Sequence, residues 1–120
     1  MTPITRWSGG APGRSRTVRH DDTVYTVANA RRLPASFAEQ AVESLAMLDA
    51  HLAEGGSSRS GLLSIQVLLT DIADRAEFDR LWVEWVGDDP AHWPQRACYQ
   101  AALAPGLMIE LIAVAAAPSR

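Results

Sequence analysis

The chain has no lysine, since all 11 of its basic residues are arginines. This absence excludes a lysine Schiff base, so pyridoxal-type or aldolase-type covalent chemistry would need another protein. The single cysteine, Cys98, excludes an internal disulfide and a metal cage of several cysteines. The three histidines lie far apart in the sequence and lack the spacing of a zinc site. We therefore expect neither a metal nor another cofactor.

Long hydrophobic runs are also missing. No segment approaches the ~18 continuous apolar residues that a membrane span needs, and residues 1–10 lack the apolar core of a signal peptide. We expect a cytoplasmic protein that does not contact a membrane.

The 14 acidic side chains outnumber the basic ones and give a formal charge of −3. Since no cluster of positive residues suggests a phosphate-binding surface, we expect no nucleic-acid partner.

The composition is that of one soluble globular domain, with 48% hydrophobic residues and both signs of charge. Residues 1–14 are rich in glycine and proline, and we interpret them as an irregular lead-in to a single domain over residues 15–118. Two short β-rich runs, residues 14–20 and 23–28, flank the acidic pair Asp21-Asp22. This pattern predicts a first hairpin.

Capping signals and the spacing of apolar residues predict two helices. Ser36 and Glu39 form a capping box at the head of the first helix, which Gly55-Gly56 ends. The second helix is predicted over residues 71–86, and two tryptophans on it would pack in the core or present a wall to a ligand or a neighbouring subunit. Residues 62–70 form a nearly continuous apolar run with the length of a central strand.

The last third of the chain predicts a second hairpin, in which two apolar runs flank the turn signal Pro105-Gly106. Arg96 and Cys98 would share one face of the first strand, and Glu110 would lie opposite Cys98 and diagonal to Arg96. A guanidinium and a carboxylate would then share a pocket. Charged groups among apolar residues are unfavourable unless something pairs with them, so the alternatives are a functional site and a plain ion pair at a sheet edge.

The predicted order of elements is β-β-α-β-α-β-β, which indicates an α+β fold with two helices on one face of a mixed sheet. The last third of the chain contains Pro94-x-Arg96-x-Cys98, then Leu103-x-Pro105, then Ile109-Glu110-Leu111-Ile112-Ala113. These residues resemble the C-terminal signature of the reactive intermediate deaminase family, RidA or YjgF. The resemblance extends upstream to about Ser15. It implies a chorismate-mutase-like fold and a homotrimer with pockets between subunits.

The same resemblance implies a small-molecule substrate, an imine or enamine of a 2-oxo acid, that is hydrolysed with release of ammonia. It assigns the substrate carboxylate to Arg96, which suits planar bidentate binding. It assigns the proton transfers of the attacking water to Glu110, and the orientation of substrate or water to main-chain groups at Cys98. A Cys98 thiolate nucleophile is the competing idea, but a strand cysteine among apolar neighbours without a histidine base is usually inert.

Two departures from the family pattern affect the predicted site. The family commonly has Gly-Gln where this chain has Ala28-Asn29, and the Ala28 methyl group would narrow the pocket. Asp79 stands where the family commonly has Asn and is either a solvated helix residue or a negative charge facing the cleft. A charge there would favour a ligand that carries a cationic amine or amidine, unless Arg14 or Arg16 offsets it.

Three functions from different classes follow from these observations. The first is a general imine or enamine deaminase that uses Arg96 and Glu110. The second is a pathway-specific relative that acts on a larger metabolite in the same cleft, which Ala28 and Asp79 would favour. The third is a non-catalytic trimer that binds small metabolites or another protein, since a fold alone does not fix a function.

Overall fold

The computed structural model describes residues 3–118 of the chain. The strands and α-helices are, in chain order, β1 Ile4–Ser8, β2 Ser15–His20, β3 Thr23–Asn29, α1 Phe37–Glu54, β4 Leu62–Leu69, α2 Arg75–Val86, β5 Gln95–Gln100 and β6 Ile109–Ala116. The strands form one sheet in the order β1-β2-β3-β6-β4-β5. Only β4 and β5 are parallel neighbours among the described strands, so the predicted mixed sheet is confirmed.

Both helices cover the same face of the sheet. Alternate residues of the central strands point towards the helices and are buried, whereas the residues between them are more exposed. The core joins these strand residues to the apolar sides of both helices and includes Val24, Ala28, Leu45, Leu48, Leu52, Ile65, Val67, Leu69, Phe78, Trp82, Ile109, Leu111 and Ala113. The predicted α+β arrangement is therefore confirmed, and residues 3–118 of a single chain leave the other face of the sheet uncovered.

The predicted helix starts and ends rest on local hydrogen bonds. The Glu39 backbone N–H donates to Ser36 Oγ at 3.2 Å, and the Ser36 N–H donates to the Glu39 carboxylate at 3.0 Å. This capping box satisfies backbone donors that a helix end otherwise leaves unpaired. The second predicted helix begins as a short 3-10 helix, Ile72–Asp74, before α2.

A buried glutamine of α1 fixes the segment that leads into β6. Gln40 is 1% exposed, and its side-chain amide donates to the Gly106 carbonyl at 3.0 Å. Its carbonyl oxygen accepts from the Met108 N–H at 2.8 Å. Because each buried polar group of Gln40 has a partner, the connection between β5 and β6 is held against the helix.

The expectation of an irregular lead-in over residues 1–14 was wrong for residues 4–8, which form β1. The glycine- and proline-rich segment 9–13 reverses the chain, so β1 pairs antiparallel with β2. Gly10 and Gly13 have φ values of 77° and 84°, a conformation that favours glycine. Residues 1 and 2 lie outside the described part of the chain.

The first predicted hairpin, β2 and β3, is confirmed, but the second was wrong because β5 and β6 are not neighbours. Strand β4 lies between them and pairs with both. The sequence of β6 is apolar on nearly every residue, which suits a strand between two others, whereas β5 carries polar residues typical of a sheet edge. The turn signal at Pro105-Gly106 therefore marks a crossover past the end of β4.

Candidate functional site

Arg96 is held at the edge of the sheet by a carboxylate from α2. Its Cα lies opposite that of the core residue Ile65 in the β4–β5 ladder, so the side chain points to the helix-covered face. Nη2 donates to Asp79 Oδ1 at 2.5 Å, and only 18% of the Arg96 side chain is exposed, against 42% for Asp79. Asp79 therefore faces Arg96 and the site, although part of its side chain also contacts solvent.

The Arg96 guanidinium also lies against aromatic rings of α2. Its central carbon is 5.6 Å from the Phe78 ring centroid and 5.8 Å from that of Trp82, within the range of cation–π attraction. Among the described residues, Nε and Nη1 of Arg96 have no hydrogen-bond acceptor. The guanidinium is thus oriented by its neighbours and retains donors for a ligand carboxylate.

A cavity of about 410 Å³ opens beside this pair. Arg96 and Asp79 form its polar part, and the rest of its wall is mainly apolar, with Trp82, Val83, Val86, Gly87, Trp93 and Pro94. Trp82 comes from α2, whereas Trp93 and Pro94 come from the segment that enters β5. Such a combination of an apolar wall and a few oriented polar groups is typical of small-molecule sites.

Cys98 lies two residues beyond Arg96 on the same face of β5 and is half-buried. Burial raises the pKa of its thiol, and the nearby Arg96 and Arg75 guanidinium groups counter that effect only in part. A thiol with a raised pKa is mostly neutral near pH 7 and is a poor nucleophile. The Cys98 thiol is therefore a poor candidate for a thiolate nucleophile.

Glu110 lies on the uncovered face of the sheet. Its Cα faces Asn29 in β3 and Leu68 in β4, and its Oε1 accepts a hydrogen bond from Asn29 Nδ2 at 3.2 Å. Tyr99 is on the same face, where its hydroxyl donates to Gln66 at 2.7 Å. Glu110 therefore belongs to a polar strip on the face opposite the helices.

The prediction that Arg96 and Glu110 of one chain share a pocket was wrong. Their strands are two positions apart in the sheet order, a separation of about 10 Å. They also lie on opposite faces, because Arg96 is in register with Ile65 and Glu110 with Leu68, three residues apart on β4. A site that uses both residues must therefore take them from two chains.

The other predicted pocket residues are also remote from Arg96 within one chain. Ala28 is 2% exposed in the core, and β6 and β4 separate it from β5 by about 14 Å, so its methyl group does not narrow the cavity beside Arg96 of the same chain. Arg14 is exposed and precedes β2, one strand farther away. Arg16 is bound to Glu54 through hydrogen bonds of 2.9 and 2.8 Å, so neither arginine offsets Asp79 of the same chain.

The sequence did not identify Phe78 and Trp93 as neighbours of Arg96, and it identified Asn29 only as a departure from the family pattern and not as the partner of Glu110. Phe78 lies four residues before Trp82, a spacing that predicts one apolar helix side, but no sequence signal showed that Arg96 would lie on it. Trp93 directly precedes the Pro94-x-Arg96 motif, and that adjacency is the one signal that could have identified it.

Among residues 3–118, no group of three or more histidine, cysteine, aspartate or glutamate side chains is placed to hold a metal ion. Within the same residues, none of the helices has the length and apolar character needed to cross a membrane.

Comparison with known proteins places these observations in a family. The family model described as endoribonuclease L-PSP matches residues 13–117. The RutC family protein YoaB of Escherichia coli K12 is 35% identical over 103 residues, which cover 85% of this chain and 89% of that protein. A RutC family protein of Haemophilus influenzae is 38% identical over 78 residues, which cover 64% of this chain and 66% of that protein.

A solved structure has the same architecture. The crystal structure of a YjgF-family protein from Neisseria meningitidis superposes with a TM-score of 0.88 at 28% sequence identity. The superposition covers 99% of this chain and 98% of that one.

Proposed function

This chain belongs to the YjgF/RidA family, whose model is described as endoribonuclease L-PSP, and we propose that it hydrolyses imines or enamines of 2-oxo acids with release of ammonia. The family resemblance seen in the sequence is thereby confirmed. The observation that carries the proposal is the oriented Arg96 guanidinium, 18% exposed beside a mainly apolar cavity. A planar donor at such a place suits the carboxylate of a 2-oxo acid derivative.

The reaction needs only a bound substrate, a water molecule and proton transfers. Water adds to the iminium carbon and forms a carbinolamine, a proton passes from the new hydroxyl to the nitrogen, the C–N bond breaks, and the 2-oxo acid and ammonium leave. A carboxylate close to the water accepts and returns the proton. Arg96 would bind the substrate carboxylate, and main-chain groups at Cys98 would orient substrate or water.

Glu110 is the group we propose for the proton transfers, supplied by a second chain. Arg96 and Glu110 of one chain lie on opposite faces of the sheet, so a shared site requires Glu110 of the partner subunit. Large apolar side chains on the uncovered face support association, since Tyr25, Val27 and Tyr99 are 49%, 39% and 41% exposed. We propose a homotrimer with sites between its chains, in which Asn29 and Glu110 of one chain complete the site around Arg96 of another.

Asp79 favours substrates that carry a positive charge next to their carboxylate. Its hydrogen bond with Arg96 means that an incoming carboxylate shares the guanidinium with an existing anion. The iminium form of an imino acid offers Asp79 a cationic N–H in return. The same observation supports a second candidate function, a pathway-specific relative that acts on a larger metabolite with a cationic amine or amidine.

We propose no nuclease activity for this chain, although the family description contains the word endoribonuclease. RNA binding depends on basic side chains that neutralise phosphates, and the formal charge here is −3. The cytoplasmic location and the lack of a nucleic-acid partner stay predictions.

An assay with 2-iminopropanoate tests the proposal. An amino-acid oxidase generates this imine from alanine, and its loss is followed with and without the protein. Arg96→Ala should lower kcat/KM by about 100-fold or more, because a charge-assisted bidentate contact is lost. Arg32→Ala, at a side chain 92% exposed, is the matched control and should retain activity.

Two results would overturn the proposal. One is a folded wild-type protein that does not exceed the uncatalysed rate, which leaves the pathway-specific relative and the non-catalytic binding trimer. The other is an Arg96→Ala variant as active as the Arg32→Ala control.

A further inference from the structure

The cavity beside Arg96 extends well beyond the space that the reacting atoms of an imino acid need. The guanidinium and the Asp79 carboxylate are at its polar part, whereas Trp82, Val83, Val86 and Trp93 supply apolar wall. A substrate whose carboxylate binds Arg96 would therefore have apolar protein surface within reach of the group attached to its imine carbon.

The two indole rings of this wall are held in place by contacts within the chain. Trp82 is 8% exposed and belongs to the core. Trp93 is 54% exposed, but its indole N–H donates to the Gly87 carbonyl at 2.9 Å and its backbone N–H donates to the Pro90 carbonyl at 3.2 Å. A large aromatic surface that is held in place yet half open to solvent is suited to contact a ligand.

The size of the cavity separates small from large substrates. The volume of about 410 Å³ lies within the range of about 300–1,000 Å³ that is typical of small-molecule pockets. The methyl group of 2-iminopropanoate would fill little of this space. A branched aliphatic or aromatic group would fill more of it and bury apolar surface against the indoles.

We infer that the cavity lined by Trp82, Val83, Val86 and Trp93 is a subsite for the substrate side chain, and that the protein prefers imines of 2-oxo acids with branched aliphatic or aromatic side chains. This inference rests on the proposed function, because it uses the same Arg96 contact. The inference adds a preference for the type of substrate side chain, which membership of the family does not specify.

Two exposed valines on the two helices provide a matched test. Val83 lines the cavity and is 58% exposed, whereas Val42 on α1 is 55% exposed and lies elsewhere. Val83→Glu places a charge in the subsite, and Val42→Glu makes the same change outside it. Circular dichroism and thermal melts establish that both variants fold.

The assay compares the leucine-derived imine with 2-iminopropanoate, both made by an amino-acid oxidase. Wild type should have a kcat/KM at least tenfold higher for the leucine-derived imine, since each methylene in an apolar pocket is worth about 10-fold or more. Val83→Glu should reduce this ratio to near one, and Val42→Glu should keep it. Turnover of 2-iminopropanoate without any preference for the larger imine overturns the inference and leaves the proposed function standing.

A binding measurement separates the two proposals if neither imine is hydrolysed. The stable products, 4-methyl-2-oxopentanoate and pyruvate, are titrated by calorimetry into wild type and both variants. Wild type and Val42→Glu should bind the larger acid more tightly than pyruvate, and Val83→Glu should not. That result would support the subsite even if the proposed reaction fails. If wild type binds the larger acid no more tightly than pyruvate, the inference is overturned. A partner subunit that fills the cavity would give this result.

Discussion

The hydrogen bond between Asp79 and Arg96 should weaken the binding of simple 2-oxo acids, and Asp79→Asn should relieve that competition. The pair is only half-buried, with 18% of the Arg96 side chain and 42% of the Asp79 side chain exposed. Solvent screening therefore limits its strength to about 1 kcal/mol, although the contact is charge-assisted. If an incoming carboxylate no longer has to compete with this interaction of about 1 kcal/mol, it should bind Arg96 about fivefold more tightly.

Calorimetric titration with pyruvate measures this effect, and kinetics with 2-iminopropanoate supply a second readout. Asp79→Asn should bind pyruvate about fivefold more tightly and lose kcat on the imine, because the neutral amide no longer favours the iminium cation. Asp88→Asn is the control for the loss of one nearby negative charge, at an exposed residue just after α2. Pyruvate affinity that is unchanged in Asp79→Asn, or that rises equally in Asp88→Asn, would refute the reasoning.

Two further predictions concern pH and the thiol. Burial lowers the pKa of His51, whose Nδ1 bonds to the Val27 carbonyl at 2.9 Å. The unfolded chain therefore takes up a proton at this residue at a higher pH than the folded chain does. The free energy of unfolding should fall as the pH drops below about 6.5, the ordinary pKa of histidine. Urea unfolding midpoints measured between about pH 5 and 8 test this prediction, and His51→Gln should make the midpoint less dependent on pH. A wild-type midpoint that does not change with pH would contradict the prediction. Cys98→Ala should retain most kcat/KM because the raised pKa of Cys98 keeps its thiol neutral, and complete loss in a folded variant would count against this.

The parts of the fold that depend on neighbouring residues were predictable from the sequence. The capping box of Ser36 and Glu39 marked the start of α1, and Asp21-Asp22 marked the turn between β2 and β3. Both features bring together residues that lie within a few positions of each other, so their geometry follows from local hydrogen bonds.

The arrangement of the site was not predictable, because it depends on which strands pair across long distances in the chain. The turn signal at Pro105-Gly106 is equally compatible with a hairpin and with the crossover that places β4 between β5 and β6. That pairing decides that Glu110 lies on the face opposite Arg96. The direction of Asp79 likewise depends on how α2 packs against β5, which helix periodicity alone does not give.

Mixed oligomers test most directly whether Arg96 and the partner subunit's Glu110 complete one site. Arg96→Ala and Glu110→Gln variants, each inactive alone, can be unfolded together and refolded as mixed oligomers. If each site takes one residue from each of two chains, about a quarter of the sites in an equal mixture contain both wild-type residues. We predict that about a quarter of the wild-type activity on 2-iminopropanoate returns on mixing; mixed oligomers that form and stay inactive would contradict the claim.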